Sequence, residues 1–290
     1  MSWPRRRSAA LRRVLLGMIG CAMALAATAC SDDAGAGTDV PVVRVIAGPA
    51  DTEYAFEMSE QLAAGPTRLT VSNGGGEPHH AQVFRFEEGA TLTDVTAALA
   101  EGGPGAAMEF GTFVGGTGLV APGEESRADA VLDLAPGNYA VLCFVPDGDG
   151  VPHLAHGMAR EFEVTAGDDP IDAPVADAEV RLVDYDFDLP DTIEGDTVLA
   201  VTNGAEAEAH ELVIARLDGD VGVDDVLAAL HHDEPLPAVP LGGMQALPPG
   251  ATQHLQLDLE PGRYVVLCAV PSPDGTEHYD AGMIEEVTVT

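Results

Sequence analysis

Between residues 42 and 165 the chain alternates apolar and polar positions in short runs, VRVIAG, RLTVSN, HAQVFRF, ADAVLDL, NYAVLCFV and EFEVT. A second series follows: EVRLVDYDFDL, TVLAVTN, HELVIARL, HLQLDL, RYVVLCAV and EEVTVT. Period-two alternation broken by Pro-Gly and Asn-Gly turns predicts antiparallel strands closing into a sandwich or barrel. Each series also holds one stretch of helical spacing, TLTDVTAALAEGG and GVDDVLAALHHDE, begun by Thr or Asp and ended by Gly or a Pro-containing turn. The series align almost end to end, Asn73-Gly74 with Asn203-Gly204, His80 with His210 and Pro136-Gly137 with Pro261-Gly262, at an offset of 130 in front and 125 behind. The second copy has therefore lost a few residues, near the stretch from Leu99 to Pro122. GDDPIDAPVADA, residues 167–178, is rich in Pro and Asp and reads as a linker. The expected fold is mostly β, two tandem β-sandwiches over residues 42–166 and 179–290, each with one short helical insertion.

The first residues follow a different pattern. MSWPRRRSAALRR is a basic n-region and Val14 to Ala27 a short apolar run, together an export signal over residues 1–29. That run is too short to cross a bilayer as a helix. It ends at Ala27-Thr28-Ala29-Cys30, which resembles a bacterial lipobox. The resemblance implies cleavage before Cys30, a lipid on its sulfur, and residues 30–41 as a flexible tether. The expected place is the outer face of the cytoplasmic membrane or the periplasm, with the membrane touched only through the lipid. A nearby signal peptidase site and free secretion is the alternative. The pairs Arg6-Arg7 and Arg12-Arg13 lack the fuller twin-arginine pattern.

Removing the signal sharpens the charge. Five of the 13 basic residues leave with it, and the eight Arg that remain face 48 acidic residues without a single Lys. Nucleic acid and anionic lipid are excluded as electrostatic partners, since both would be repelled. The excess reads as a solvated acidic surface suited to high salt, where screening relieves self-repulsion; an acidic docking face for a basic redox partner is the sharper alternative. Apolar content of 46% is ample for packed cores. The mature chain is expected to be a monomer.

Three Cys survive export, and with Cys30 lipidated each copy owns one thiol, Cys143 or Cys268, which rules out a disulfide within either copy. Those thiols sit in a repeated string, LCFVPDGDGVPHLAHGM and LCAVPSPDGTEHYDAGM. Strand alternation puts Tyr139, Val141 and Cys143 on one face, and Tyr264, Val266 and Cys268 likewise. Past each Cys a Pro- and Gly-rich loop delivers His ten residues on and Met five beyond that. Such a loop can bring its side chains to one end of a sandwich, where a His from a neighbouring strand completes the set: His80, Cys143, His153 and Met158, and separately His210, Cys268, His278 and Met283. A thiolate, two imidazoles and a thioether are the donors of a blue-copper site, one copper per copy.

With those motifs in hand, the chain resembles the cupredoxin family, of the plastocyanin and azurin kind, over both copies. NGGGEPHHAQVF and NGAEAEAHELVI carry the resemblance for the first ligand and the two Cys, His, Met loops for the rest. The resemblance implies a Greek-key sandwich with copper at one end and one-electron transfer, with a redox protein as partner, as the usual task. The His-to-Met step of five matches plastocyanin, whereas the Cys-to-His step of ten is longer than the family's usual one.

Two further readings stay open. The copies could deliver or store copper, or bind none and serve as an interaction module with Cys143 and Cys268 as small buried residues. Multicopper oxidases and copper nitrite reductases also stack such domains, but they place His beside the blue-copper Cys. Leu142 and Phe144 flank one Cys here, Leu267 and Ala269 the other, so no enzyme activity is expected. His79 and His156 face Ala209 and Ala281 in the repeat and are read as surface or supporting residues. His231-His232 suit a helix C-terminus, and Asp147-Gly148-Asp149-Gly150 reads as a turn.

Overall fold

The computed structural model describes residues 40–49, 52–167, 171–232 and 234–290. The export signal, Cys30 and nearly all of the tether lie outside the described residues. Where the sequence alternates, the chain is extended. The first half contains β1 (Val42–Ala47), β2 (Phe56–Glu57), β3 (Gln61–Ala63), β4 (Gly65–Asn73), β5 (His79–Phe86), α1 (Leu92–Ala107), β6 (Gly111–Val120), β7 (Ala128–Leu134), β8 (Gly137–Leu142) and β9 (Ala159–Thr165). The second contains β10 (Ala178–Val183), β11 (Asp186–Asp188), β12 (Thr192–Ile193), β13 (Asp196–Asn203), β14 (His210–Leu217), α2 (Val223–His231), β15 (Ala238–Leu247), β16 (Thr252–Asp258), β17 (Gly262–Leu267) and β18 (Ile284–Val289).

Pairing gives each half two layers. In the first, β1 joins β2 antiparallel and β4 in parallel, and β4 joins β7. The other layer runs β3, β9, β8, β5, β6, with only β3 to β9 parallel. The second half repeats both, β11-β10-β13-β16 and β12-β18-β17-β14-β15. Side chains alternate as the period requires. Tyr139, Val141 and Cys143 of β8 and its end pack inward with Leu69, Val83 and Phe162, while Ala140, Leu142 and Phe84 pack outward with Val95 of α1. Tyr264, Val266 and Cys268 repeat the inward set. Each fully buried aliphatic side chain contributes about 1.5–3 kcal/mol.

The helices form where their spacing predicts. Thr91 accepts from the Asp94 amide and Asp94 accepts from the Thr91 amide, a reciprocal cap. The helix runs past the expected stop, through a kink at Gly103-Pro104. At α2 the cap is Gly222, whose amide donates to Asp225 Oδ2 at 2.9 Å.

Besides the short β2, β3 and β12, two long strands were absent from the sequence expectation, β6 and its counterpart β15. Both carry Gly-Gly at mid-strand, which reads as loop. Gly116 (φ 142°) and Gly243 (φ 111°) sit beside bulges, and a Cβ on either would run into the carbonyl oxygen of Ala81 or Leu212 across the strand pair. These strands also join the halves. β15 pairs antiparallel with β6, β16 pairs with β7, and Gly116 donates to Gln253 Oε1 at 3.2 Å, so both layers continue from one half into the other.

Candidate metal centre

Each centre is assembled from a strand end, a strand start and a loop. Cys143 follows β8, and the loop after it folds on itself as a small hairpin. Asp147 carries the turn: its Oδ1 accepts from Asp149 and Val151 amides, each at 2.9 Å, while its amide donates to the Val151 carbonyl. The return leg is pinned by His153 N to Val145 O (2.8 Å), Leu154 N to Cys143 O (2.8 Å) and Cys143 N to Met158 O (3.2 Å). The ten-residue step is thereby absorbed, and His153 arrives on a 3₁₀ turn, His153–His156, beside its own Cys. The second half does the same, with Ser272 N to Thr276 O (2.8 Å), His278 N to Val270 O (3.1 Å) and Cys268 N to Met283 O (3.1 Å). The turn leading into the strand-start His is pinned by an Asn: Asn73 Nδ2 donates to the Glu77 and Val120 carbonyls, and Asn203 Nδ2 to those of Glu208 and Leu247.

The groups that result are His79, Cys143 and His153, and His210, Cys268 and His278, all buried. In the first, Nδ1 of His79 and Nδ1 of His153 lie 3.0 Å apart, and Cys143 Sγ lies 3.9 Å and 3.5 Å from them. In the second the corresponding separations are 3.0, 3.9 and 3.3 Å. A trigonal ion with bonds of about 2.0 Å to nitrogen and about 2.3 Å to sulfur needs edges of about 3.5 and 3.7 Å, so an ion fits after shifts of about half an ångström.

The first strand ligand departs from the sequence expectation. His79 stands in the first centre, and His80 does not. β5 alternates, so His79, Ala81 and Val83 point inward and His80 to the other face, where its Nε2 accepts from the Phe144 amide at 2.6 Å. The repeat was slipped by one residue at this point: His79 matches His210, and His80 matches Glu211, whose Oε1 accepts from the Ala269 amide at 3.0 Å. The inward parity shared with Ala81 and Val83 was the available signal. His153, His210, Cys143, Cys268 and His278 lie together as the expected sets had them. Met158 and Met283 are wholly buried in the same apolar clusters as the two thiols. His156 lies outside the group, stacked on Tyr54 and 2.7 Å from Asp147 Oδ2.

Both halves share one architecture and one donor set. Two sheets enclose one buried His, Cys, His group each, and the donors suit copper: a thiolate for the cuprous ion, imidazoles for the cupric. Burial pushes the Cys143 thiol up to about 12 and raises Cys268 as well, with Glu211 adding to the effect. Burial likewise lowers His79, His153 and His210, keeping the rings in the neutral form that binds metals.

No family model matches the chain, and no curated protein does. Among solved structures, reduced auracyanin from Roseiflexus castenholzii matches at 25% identity over 39% of this chain and 95% of its own, TM-score 0.28. Auracyanin A from Chloroflexus aurantiacus, described as a blue copper protein, matches at 17% identity over 43% of this chain and 98% of its own, TM-score 0.28. A multicopper oxidase matches at 15% identity over 86% of this chain and 88% of its own, TM-score 0.24. The fold and the donor set are read from this chain's own strands and side chains.

Proposed function

We propose that the chain holds one copper in each half and passes single electrons to and from a protein partner outside the cytoplasmic membrane. The observation that carries this is the twice-built convergence of one thiol and two imidazole Nδ1 atoms in a buried site. His79, Cys143 and His153 would hold one ion and His210, Cys268 and His278 the other, with Met158 and Met283 as weak axial donors. Copper would supply a one-electron couple there. The chain's part is to bury the site, fix the rings and keep the donors in place as the charge changes.

The same reading makes the protein an electron carrier and not an enzyme. The oxidases that stack such domains place His beside the blue-copper Cys, whereas Leu142 and Phe144 flank one Cys here and Leu267 and Ala269 the other. Export, a lipid on Cys30 and a monomeric state complete the proposal. Detergent phase partition that is lost in Cys30→Ser tests the anchor.

Voltammetry of the copper-loaded mature chain tests the function. Carriage of electrons predicts reversible one-electron waves from both halves. Delivery or storage predicts ready surrender of the metal to a cuprous chelator and no reversible wave.

A further inference from the structure

Each ligand imidazole has a second nitrogen, and all four of these face a carboxylate. His79 Nε2 lies 3.1 Å from Glu53 Oε1, and His210 Nε2 3.1 Å from Asp184 Oδ1. His278 Nε2 lies 2.7 Å from Glu208 Oε2. His153 Nε2 lies 3.0 Å from Glu77 Oε2, close enough for an ion pair but not aligned as a hydrogen bond. The rings are wholly buried and the carboxylates partly exposed, from 24% for Glu208 to 46% for Asp184.

Three of these acids are themselves held. Glu53 accepts from the Gly76 amide at 2.9 Å and the Glu77 amide at 3.0 Å. Glu77 accepts from Tyr54 Oη at 3.2 Å. Glu208 accepts from Tyr185 Oη at 3.3 Å and Ser272 Oγ at 3.0 Å. The arrangement recurs although the residue type changes, Glu53 on a loop in one half and Asp184 beside a hairpin in the other. Chance placement on an acidic surface would not put four carboxylates on the same atom of four rings.

We infer that Glu53 and Glu77, and in the second half Asp184 and Glu208, are positioning residues that fix the ligand tautomers through Nε2 and weight each centre toward the oxidised ion. A proton on Nε2 facing a carboxylate leaves the Nδ1 lone pair for the centre; this tautomer is assigned from the network. Two such Nδ1 atoms 3.0 Å apart repel each other until a cation lies between them. The carboxylate also makes the ring a stronger donor, the usual role of an outer partner to a ligand His. Charge sets the redox consequence. A cupric ion with one thiolate and two carboxylates sums to minus one, and adding an electron takes the group to minus two. Each carboxylate therefore opposes reduction, less strongly than a dry charge would because solvent reaches it. Neutralising one should raise the reduced-to-oxidised ratio at fixed potential about tenfold, which is about 59 mV for one electron.

This rests on the copper reading above, and the experiment separates the two. Glu53→Gln is made in the Cys268→Ser chain and Glu208→Gln in the Cys143→Ser chain, leaving one centre in each. Expected are a correct fold by circular dichroism, a rise in potential of about that size, and copper bound about 10–100-fold more weakly. Glu77→Gln replaces Glu53→Gln, and Asp184→Asn replaces Glu208→Gln, where either fails to fold. Unchanged potentials in folded variants overturn the inference, since a merely structural role would move only the melting temperature. If the parent chains take up no copper, the copper reading fails and the metal-free protein decides the tautomer: nitrogen-15 spectra should show imidazole Nε2 protons that the amide variants release to rapid exchange. Nδ1 protonation in those spectra overturns the inference whatever the metal.

Discussion

Adjacent histidines in β5 give opposite outcomes when each is cut to alanine. His79→Ala removes one of three inward donors, so copper content should fall from two equivalents to one, with the first half's thiolate-to-copper absorption lost. His80→Ala touches no donor atom. It removes the acceptor of the Phe144 amide, a 2.6 Å bond, and a ring that is 8% exposed and meets the Phe144 ring edge-on at 6.1 Å. A buried amide left without a partner costs about 1–3 kcal/mol, and lost packing brings the total to about 2–4 kcal/mol. At about 2–4 °C per kcal/mol for a unit of this size, the melting temperature should fall by roughly 5–15 °C while both coppers remain. Copper analysis, visible absorption and calorimetry on the two variants decide it. A His80→Ala chain that loses one copper beside a His79→Ala chain that keeps both would refute the inward assignment of His79.

Three other expectations follow from the same geometry. Cys143→Ser should abolish one centre and about half of the copper-dependent gain in melting temperature; at a thousandfold excess over Kd one site contributes about 4.1 kcal/mol, read by calorimetry with and without copper. Gly116→Ala should destabilise by about 2 kcal/mol or more, because the φ of 142° and the Ala81 carbonyl both exclude a Cβ; denaturant melts showing no loss would contradict the bulge. Burial raises the Asp129 carboxyl despite hydrogen bonds from Ser126 and Thr70 and the nearby Arg68. A raised folded-state value means stability that is full below the ordinary aspartate range and is lost as pH rises through the raised value. Asp129→Asn should therefore gain on the parent as pH climbs from 3 toward neutrality, and parallel stability curves would count against it.

Much of the fold could be read from residue order because alternation and burial coincide. β8 and β17 each put Tyr and Val on the core face, and the Cys just past each strand continues the alternation, as period two requires. β6 and β15 escaped because their Gly-Gly pairs erase the alternation. The reason for those glycines is a close approach between strands, which a linear pattern does not carry. The centre was legible down to its sulfur and its loop His. The first strand ligand was displaced by one position because two adjacent His gave the repeat two registers, and the parity of Ala81 and Val83 that separates them competes with Phe84 and Phe86 on the opposite face. The outer carboxylates were hidden for another reason. Glu77 stands two residues before His79 yet faces His153, a pairing made only by the fold.

The most direct measurement is a copper titration of the mature chain followed by visible absorption and thiol accessibility. Two equivalents taken up, an intense blue band growing with each, and both buried thiols protected are the predicted result. A colourless protein whose Cys143 and Cys268 react alike with and without copper would contradict it.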